Sequence, residues 1–488
     1  MLYHSTRSSA QWVDSAQAVL SGLAPDGGLY MPRNIPALDW GNVLKGTSQE
    51  ISAAILESLL PDIPDMPRLV ARAYTGKFET EDLTPTVAVG DLSVLELFRG
   101  PTSAFQDVAL SMLPQLLTAA KEEKGVKEDI LILTATSGDT GKAALVGFRD
   151  VPGVKICVFY PQGGVSQVQR AQMVTQEGSN VAVCAVRGNF DDAQTGVKEI
   201  FTAFQDRPLP FRLSSANSIN IGRLAPQVMY YFRAYKDLLA AGKIQLGDKV
   251  NFSVPTGNFG DILAGYLAGK MGLPVGTLIC ASNANNVLTD FIRTGTYDRR
   301  REFFTTTSPS MDILISSNLE RLLFELSGHD DALIRTLMAD LRDKGSYTVP
   351  ALLREKLADL FYGGFCTDEE AAETIRTVFA EKHILCDPHT AVGVKVYGDY
   401  RRETGDTTPV VIASTADPYK FSASVLAALG HADDTLDEFE KVEALSRLTG
   451  TSAPAPLASL RSKTPRFTQV CDKQDMQAAV RGLLNGSC

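Results

Sequence analysis

From residue 91 onward, short unbroken apolar runs alternate with stretches of helical spacing. DILILTAT (129–136), VKICVFYP (154–161), NVAVCAVRG (180–188), KVNFSVPTG (249–257), PVGTLICAS (274–282) and PVVIAST (409–415) have the length and content of strands. GKAALVGFRD, DDAQTGVKEIFTAF (191–204) and DILAGYLAGKMG lie among them as helices. Strand, helix, strand at this spacing predicts an α/β chain with open, mostly parallel sheets, two of them. The first 90 residues read differently. LAPDGGLYMP (23–32) is a turn, and SQEISAAILESLLP (48–61) is a helix that stops at Pro61.

These changes of pattern divide the chain into an N-terminal mixed domain (1–90), a large α/β domain (91–128 and 226–430), a small α/β domain (129–225) and a C-terminal tail (431–488). The tail is charged, carries a Ser/Ala/Pro stretch and shows no chemistry. No internal repeat is present.

Composition narrows the function classes. The 488 residues carry a net charge of -10, so no basic face is advertised and a nucleic-acid partner is not expected. Seven cysteines, scattered and without a CxxC, read as reduced thiols, with no disulfide framework and no metal site. The beginning MLYHSTRSSAQWVDS lacks an apolar core of the secretory type, and no apolar run has the roughly 18 residues of a membrane span. A cytoplasmic protein, monomer or homodimer, without membrane association is the expectation.

Two strand-to-helix turns are the candidates for chemistry, because open α/β sheets bind ligands at the carboxyl ends of their strands. In TATSGDTGKAAL (134–145) a helix begins near Asp139 or Thr140. Its first N–H groups, with the hydroxyls of Ser137 and Thr140, make an anion site; a plain capped turn is the alternative. In VPTGNFGDILAGYLAG (254–269), Gly257 and Gly260 flank Asn258 and Phe259 and let the backbone approach a phosphate. Neither a GxGxxG nor a P-loop is present. Two anion-type turns suggest a ligand with two anionic ends.

Together with YHSTR, GPTSAFQDVAL, FYPQGGVSQVQRAQM, VRGNFDDAQTGVK, NSINIGRLAPQVMYYF, TTSPSMDILISSNLERLL, DPHTAVGVKVY and STADPYKF, these segments resemble threonine synthase, over roughly residues 3 to 430. The resemblance implies the fold type II architecture of pyridoxal-phosphate (PLP) enzymes. It also implies a reaction in which O-phosphohomoserine loses phosphate, gains water and leaves as threonine. It places Gly257, Asn258, Phe259 and Gly260 on the cofactor phosphate, Thr415 at the pyridine nitrogen and Phe105 beside the cofactor. Ser137, Gly138, Asp139 and Thr140 fall around the substrate carboxylate.

One position breaks the pattern. The family motif Ala-Phe-Lys-Asp is here Ala104-Phe105-Gln106-Asp107. The family's lysine forms the resting Schiff base and then shuttles protons, and an amide does neither. Gln106 can fill the space and hydrogen-bond. Nearby, Arg99 stands for a usual His, Ser103 for Leu, Ala284 for Lys and Asp417 for His or Ser. Arg99 reads either as a surface charge or as a replacement cation for a phosphate. Asp417 before Pro418 reads as a helix cap or as a partner of the pyridine nitrogen. His389 reads as a structural helix-start residue, with a base as the alternative. Lys142 and Lys420 are the other amines in site motifs; Lys142 is expected to face solvent. Three functions follow: a PLP lyase of threonine synthase type, with PLP bound non-covalently and turnover impaired or altered; a pseudoenzyme that keeps ligand binding; or a homologue with lysine-independent chemistry.

Overall fold

The computed structural model describes residues 1–136, 138–204 and 211–484. A six-stranded sheet runs in the spatial order Phe361–Phe365, Val275–Ser282, Val250–Pro255, Val410–Ser414, Leu92–Glu96, Thr86–Val89. All neighbours are parallel except the last pair, a hairpin. A five-stranded parallel sheet has the order Val470–Cys471, Val181–Val186, Val154–Pro161, Asp129–Ala135, Phe211–Ser214. Its central strands are buried along nearly their whole length, which explains their unbroken apolar sequence. A small antiparallel sheet, Ser8–Asp14, Leu2–Ser5 and Tyr30–Pro32, begins the chain.

Strand order decides where a site can form. Val250–Pro255 lies directly beside Val410–Ser414, which lies beside Leu92–Glu96. The segments that leave these three strands therefore emerge together at one carboxyl edge. In the smaller sheet, Asp129–Ala135 has Val154–Pro161 on one side and Phe211–Ser214 on the other, so the turn after Ala135 sits where the winding reverses.

Helix Gln106–Glu123 joins the two sheets. It is buried on nearly every side and tolerates Pro114 in its interior. Helix Asp139–Phe148 meets it at Gly147, where any Cβ would fall 1.9 Å from the Leu110 carbonyl oxygen. The helix starts at Gln106 and Asp139 are thus held by backbone-to-backbone contact that only glycine allows. One apolar cluster runs from Phe252 and Val254 through Leu110, Leu113 and Leu117 to Ile130, Ile132 and Ile156.

The C-terminal segment closes the edge of the smaller sheet. Val470–Cys471 pairs with Val181–Val186, and Met476 and Val480 of helix Met476–Leu484 bury against Val197 and Ile200. Among the described residues no helix is long and apolar enough to cross a membrane, and no cluster of metal-ligating side chains is present.

Candidate active site

The first wall is the turn after Val250–Pro255. Phe259 is buried with φ 62, the left-handed conformation, and helix Gly260–Lys270 starts directly after it. A Cβ on Gly257 would lie 2.8 Å from the Ser310 carbonyl oxygen, so the chain passes here only as glycine. Asn318 donates to the Asn258 carbonyl from its backbone (3.1 Å) and its side chain (3.0 Å), and Ser316 Oγ donates to the Gly257 carbonyl (2.7 Å). With those carbonyls occupied, the N–H groups of the helix start remain as donors. Beneath them Asp261 is buried. Tyr231 Oη donates to its Oδ1 at 3.1 Å, while Oδ2 has no partner among the described residues. Burial pushes this carboxyl up to about 7.

The second wall is the segment 99–107. Phe105 N donates to the Thr415 carbonyl (2.8 Å), Asp417 N donates to the Ser103 carbonyl (3.1 Å), and Ala104 bridges Ala416. Tyr230 Oη donates to the Phe105 carbonyl at 2.8 Å. Asp107 fixes the loop by accepting from Thr102 N (2.8 Å) and Thr102 Oγ1 (2.5 Å). Gly100 is required because any Cβ there would sit 2.4 Å from Asp107 Cβ. Burial raises the Asp107 carboxyl to about 6 against the opposing Thr102 hydrogen bonds.

Gln106 is 3% exposed and its Oε1 has no hydrogen-bond partner among the described residues. Arg223 is equally buried, in the segment Ile221–Leu224. Its Nη1 donates to the Ala216 carbonyl at 3.0 Å, and its Nε is unmatched. Burial lowers this guanidinium to about 10, with Tyr230 and Asp107 close enough to oppose the shift.

The third wall is the turn after Asp129–Ala135. Gly138 has φ 142, and a Cβ would meet the Gln169 side chain at 2.4 Å. Asp139 Oδ1 pairs with Lys420 Nζ at 2.7 Å and accepts from Gln169 Nε2 at 3.1 Å. Lys420, whose side chain is fully buried, also donates to the Thr102 carbonyl (3.0 Å), where Gln172 Nε2 donates as well (3.4 Å). Burial alone would raise Asp139; Lys420 outweighs it and holds the carboxyl below its ordinary value. This network joins the smaller sheet to the 99–107 loop.

Several expectations change. Ser137 lies outside the described residues, and the hydroxyl that fastens the turn belongs to Thr136, which accepts from Gly138 N (3.0 Å) and Gly141 N (2.9 Å). Thr140 is half-buried in the first turn of the helix. Arg99 is engaged by Glu96 (2.8 Å) and Glu79 (3.0 Å), in keeping with the surface-charge alternative. Asp417 caps the short turn of helix Pro418–Phe421, accepting from Tyr419 N at 2.9 Å. His389 starts helix Pro388–Thr404, with Nδ1 2.6 Å from Asp387 and Nε2 accepting from Ser310 N at 3.2 Å. Lys142 does not stand free in solvent. It is half-buried, donates to Gln176 Oε1 at 2.6 Å, and burial lowers it to about 7. Ala284 is half-buried between Asn283 and Asn285, both of which donate to Asp312. Arg223, Gln172 and Gln227 escaped sequence reading. Their signal is polarity inside quoted motifs, above all an arginine within the apolar run IGRLAPQVMYYF.

Comparison with known proteins gives this arrangement its class. Residues 84–415 match the family described as pyridoxal-phosphate dependent enzyme. Residues 2–74 match the threonine synthase N terminus and residues 390–480 the threonine synthase C-terminal family. The chain belongs to the threonine synthase family, and the fold is the fold type II architecture. It is 39% identical to the threonine synthase of Pseudomonas aeruginosa over 440 residues, 88% of this chain and 91% of that protein. It is 39% identical to human threonine synthase-like 1 over 434 residues, 85% of this chain but 58% of that longer protein. The crystal structure of PLP-bound threonine synthase from Brucella melitensis superposes with a TM-score of 0.87 at 39% identity, covering 99% of each chain. These matches correct one expectation: the segment beyond residue 430 falls inside the family, not outside it.

Proposed function

We propose that this chain holds PLP without a covalent anchor and takes O-phosphohomoserine, or a related phosphorylated amino acid, with elimination of phosphate and addition of water slowed by Gln106. The observation that carries this reading is a buried amide at the position of the anchoring amine. Both neighbouring lysines are otherwise engaged, Lys420 with Asp139 and Lys142 with Gln176. The residues present fit a phosphate-bearing group. The Gly257 cradle leaves no room for a side chain, and the helix start offers N–H donors.

In this reading Gly257, Asn258, Phe259 and Gly260 bind the cofactor phosphate through their backbone. Thr415 lies at the ring nitrogen and Phe105 beside the ring. Gly138, Asp139 and Thr140, with Ser137, receive the substrate carboxylate, and Lys420 neutralises Asp139 so that the carboxylate is not repelled. When bound, PLP supplies the electron sink for carbanion chemistry. Burial raises the Asp261 carboxyl to about 7 and so weakens the repelling charge near the helix start. Gln106 has no basic nitrogen and moves no proton.

The test is an absorption titration of the purified protein with PLP, then borohydride reduction and mass spectrometry, then phosphate release from O-phosphohomoserine. Saturable binding without a reducible adduct, and slow phosphate release, is the expected result. Saturable binding with no release at all makes the chain a ligand-binding protein without turnover. An adduct on Lys142 or Lys420 overturns the non-covalent reading. Absence of PLP binding overturns it altogether.

A further inference from the structure

The C-terminal segment brings two thiols together at the edge of the smaller sheet. Strand Val470–Cys471 pairs in parallel with Val181–Val186, Val470 opposite Ala185 and Cys471 opposite Val186. Side chains alternate along a strand, so Cys471 and Cys184 point to the same face, where Val197, Ile200 and Met476 cover them. There Cys184 Sγ donates to Cys471 Sγ across 3.4 Å. The two residues are 287 positions apart in the chain, so no local spacing announces the pair. Of the described cysteines, Cys157, Cys184, Cys280, Cys366 and Cys386 are buried, and Cys471 alone is not.

Access and thiolate character decide which thiol an oxidant reaches first. Cys471 has both. The hydrogen bond from Cys184 holds its thiol below the ordinary value and Arg187 helps, against burial and the charges of Asp475 and Asp472. Cys184 lies behind it as a second thiol within reach. A disulfide needs its sulfurs about 2 Å apart, so from 3.4 Å they must close by roughly 1.4 Å. The shift falls on Val470–Cys471, a two-residue edge strand that pairs on one side only. The chain just before it is anchored: Arg466 donates to the Val174 carbonyl from its backbone (2.7 Å) and to the Gln176 carbonyl from Nη1 (2.7 Å).

We propose that Cys471 and Cys184 form an oxidation site, which hydrogen peroxide converts to a disulfide that staples the C-terminal segment to the smaller sheet. The Cys471 thiolate attacks one peroxide oxygen and the O–O bond breaks. Its sulfur becomes a sulfenic acid, and the departing hydroxide takes up the proton that Cys471 had released, giving water. The Cys184 sulfur then attacks the Cys471 sulfur. The S–S bond forms, the S–O bond breaks, and the hydroxyl leaves with the Cys184 proton as a second water. Two thiols thus give two electrons to one peroxide, and a thiol reductant returns them. The bond pins Val470–Cys471 and, after it, helix Met476–Leu484, whose Met476 and Val480 share the apolar cluster on this face.

Peptide mapping of the full chain tests it. The reduced protein is treated with hydrogen peroxide, its remaining thiols are alkylated, and it is digested without reductant for mass spectrometry. The expected product is a peptide pair joining Cys184 to Cys471, which dithiothreitol separates and Cys471→Ser does not form. Amide hydrogen exchange over residues 470–484 should slow by about tenfold or more on oxidation, because a cross-link restricts local opening. The same treatment should leave exchange unchanged in Cys471→Ser, or in Cys471→Ala if serine disturbs the strand. Sulfinic acid on Cys471 without the linked pair overturns the proposal, as does alkylation of both thiols after peroxide or a disulfide from Cys471 to any other cysteine. A linked pair with unaltered exchange overturns the staple. The mapping of wild type stands even if a variant fails to fold.

Discussion

The two helix starts that face each other across the site are finished to different degrees. At Asp139 every charge is matched: Lys420, Gln169 and the Thr102 carbonyl form a closed network without exposure to solvent. At Gln106 the buried amide oxygen has nothing to bind among the described residues. The difference separates a network completed within the chain from one that is not. A buried ion pair that is fully hydrogen-bonded serves the fold itself, and it spans two sheets here. A buried amide oxygen without a partner carries its full desolvation cost.

The change that breaks this contrast most strongly is Gln106→Lys. It restores a nucleophilic amine at the unmatched end. Titration with PLP followed by borohydride and mass spectrometry is expected to place a covalent adduct on residue 106. Phosphate release from O-phosphohomoserine is expected to rise by about 10²–10⁴-fold, the usual worth of a general acid/base. A Gln106→Lys variant that stays unmodified would mean that the surrounding pocket, and not one residue, has been rebuilt.

Lys420→Met attacks the matched end. It strands a buried carboxylate, for which a loss of about 3–5 kcal/mol in unfolding free energy is expected by urea denaturation at neutral pH. The pH dependence has a definite sign. Asp139 is held below its ordinary value in the folded protein, so its contribution is present above the unfolded value and is lost as pH falls through the folded one. In the variant the Gln169 hydrogen bond remains but burial is no longer offset by Lys420 and raises the carboxyl, so the deficit against wild type is largest near neutrality and shrinks in acid.

These two ends were not equally legible in the sequence. The strands around residues 129–136, 154–161 and 250–255 announce themselves by unbroken apolar runs, and the 257–260 turn by its paired glycines. The hairpin Thr86–Val89/Leu92–Glu96 and the strand Phe361–Phe365 escaped. The first is short, and the second is interrupted by Gly363 and Gly364, where Cβ atoms would meet Thr289 and Val396. The Lys420–Asp139 pair escaped because it joins segments far apart in the chain, which no local spacing encodes. The replacement at position 106 was visible at once, but the lack of a partner for its Oε1 exists only in three dimensions.

Asp261→Asn probes the helix start behind the 257–260 turn, an intermediate case with one matched and one unmatched oxygen. Burial raises this carboxyl from 3.8 to about 7, so between those values the folded protein keeps a proton that the unfolded chain has released. Stability attributable to Asp261 therefore falls as pH rises from about 4 to about 7, by up to about 4 kcal/mol at 1.36 kcal/mol per unit. Denaturation at pH 5 and pH 8 should show the variant losing less stability across that interval than wild type. An unchanged difference would place the cost elsewhere, with Asp417, also raised to about 7 by burial, as the next group to replace.

Arg99→Ala is expected to have the smallest effect and separates matching from burial. Arg99 is as well paired as Lys420, yet its side chain is 33% exposed, as is much of Glu79 at 37%. Exposed pairs are worth under about 1 kcal/mol, so denaturation should barely register the change. Its influence should instead be electrostatic and directional. Burial is the main cause that lifts the Asp417 carboxyl, and Arg99 is among the groups that hold it down. Removing the guanidinium should move the Asp417 titration, followed by carboxyl-labelled NMR, further upward. A stability loss as large as that of Lys420→Met would mean that hydrogen-bond matching alone, without burial, sets the energetic weight of a charge at this site.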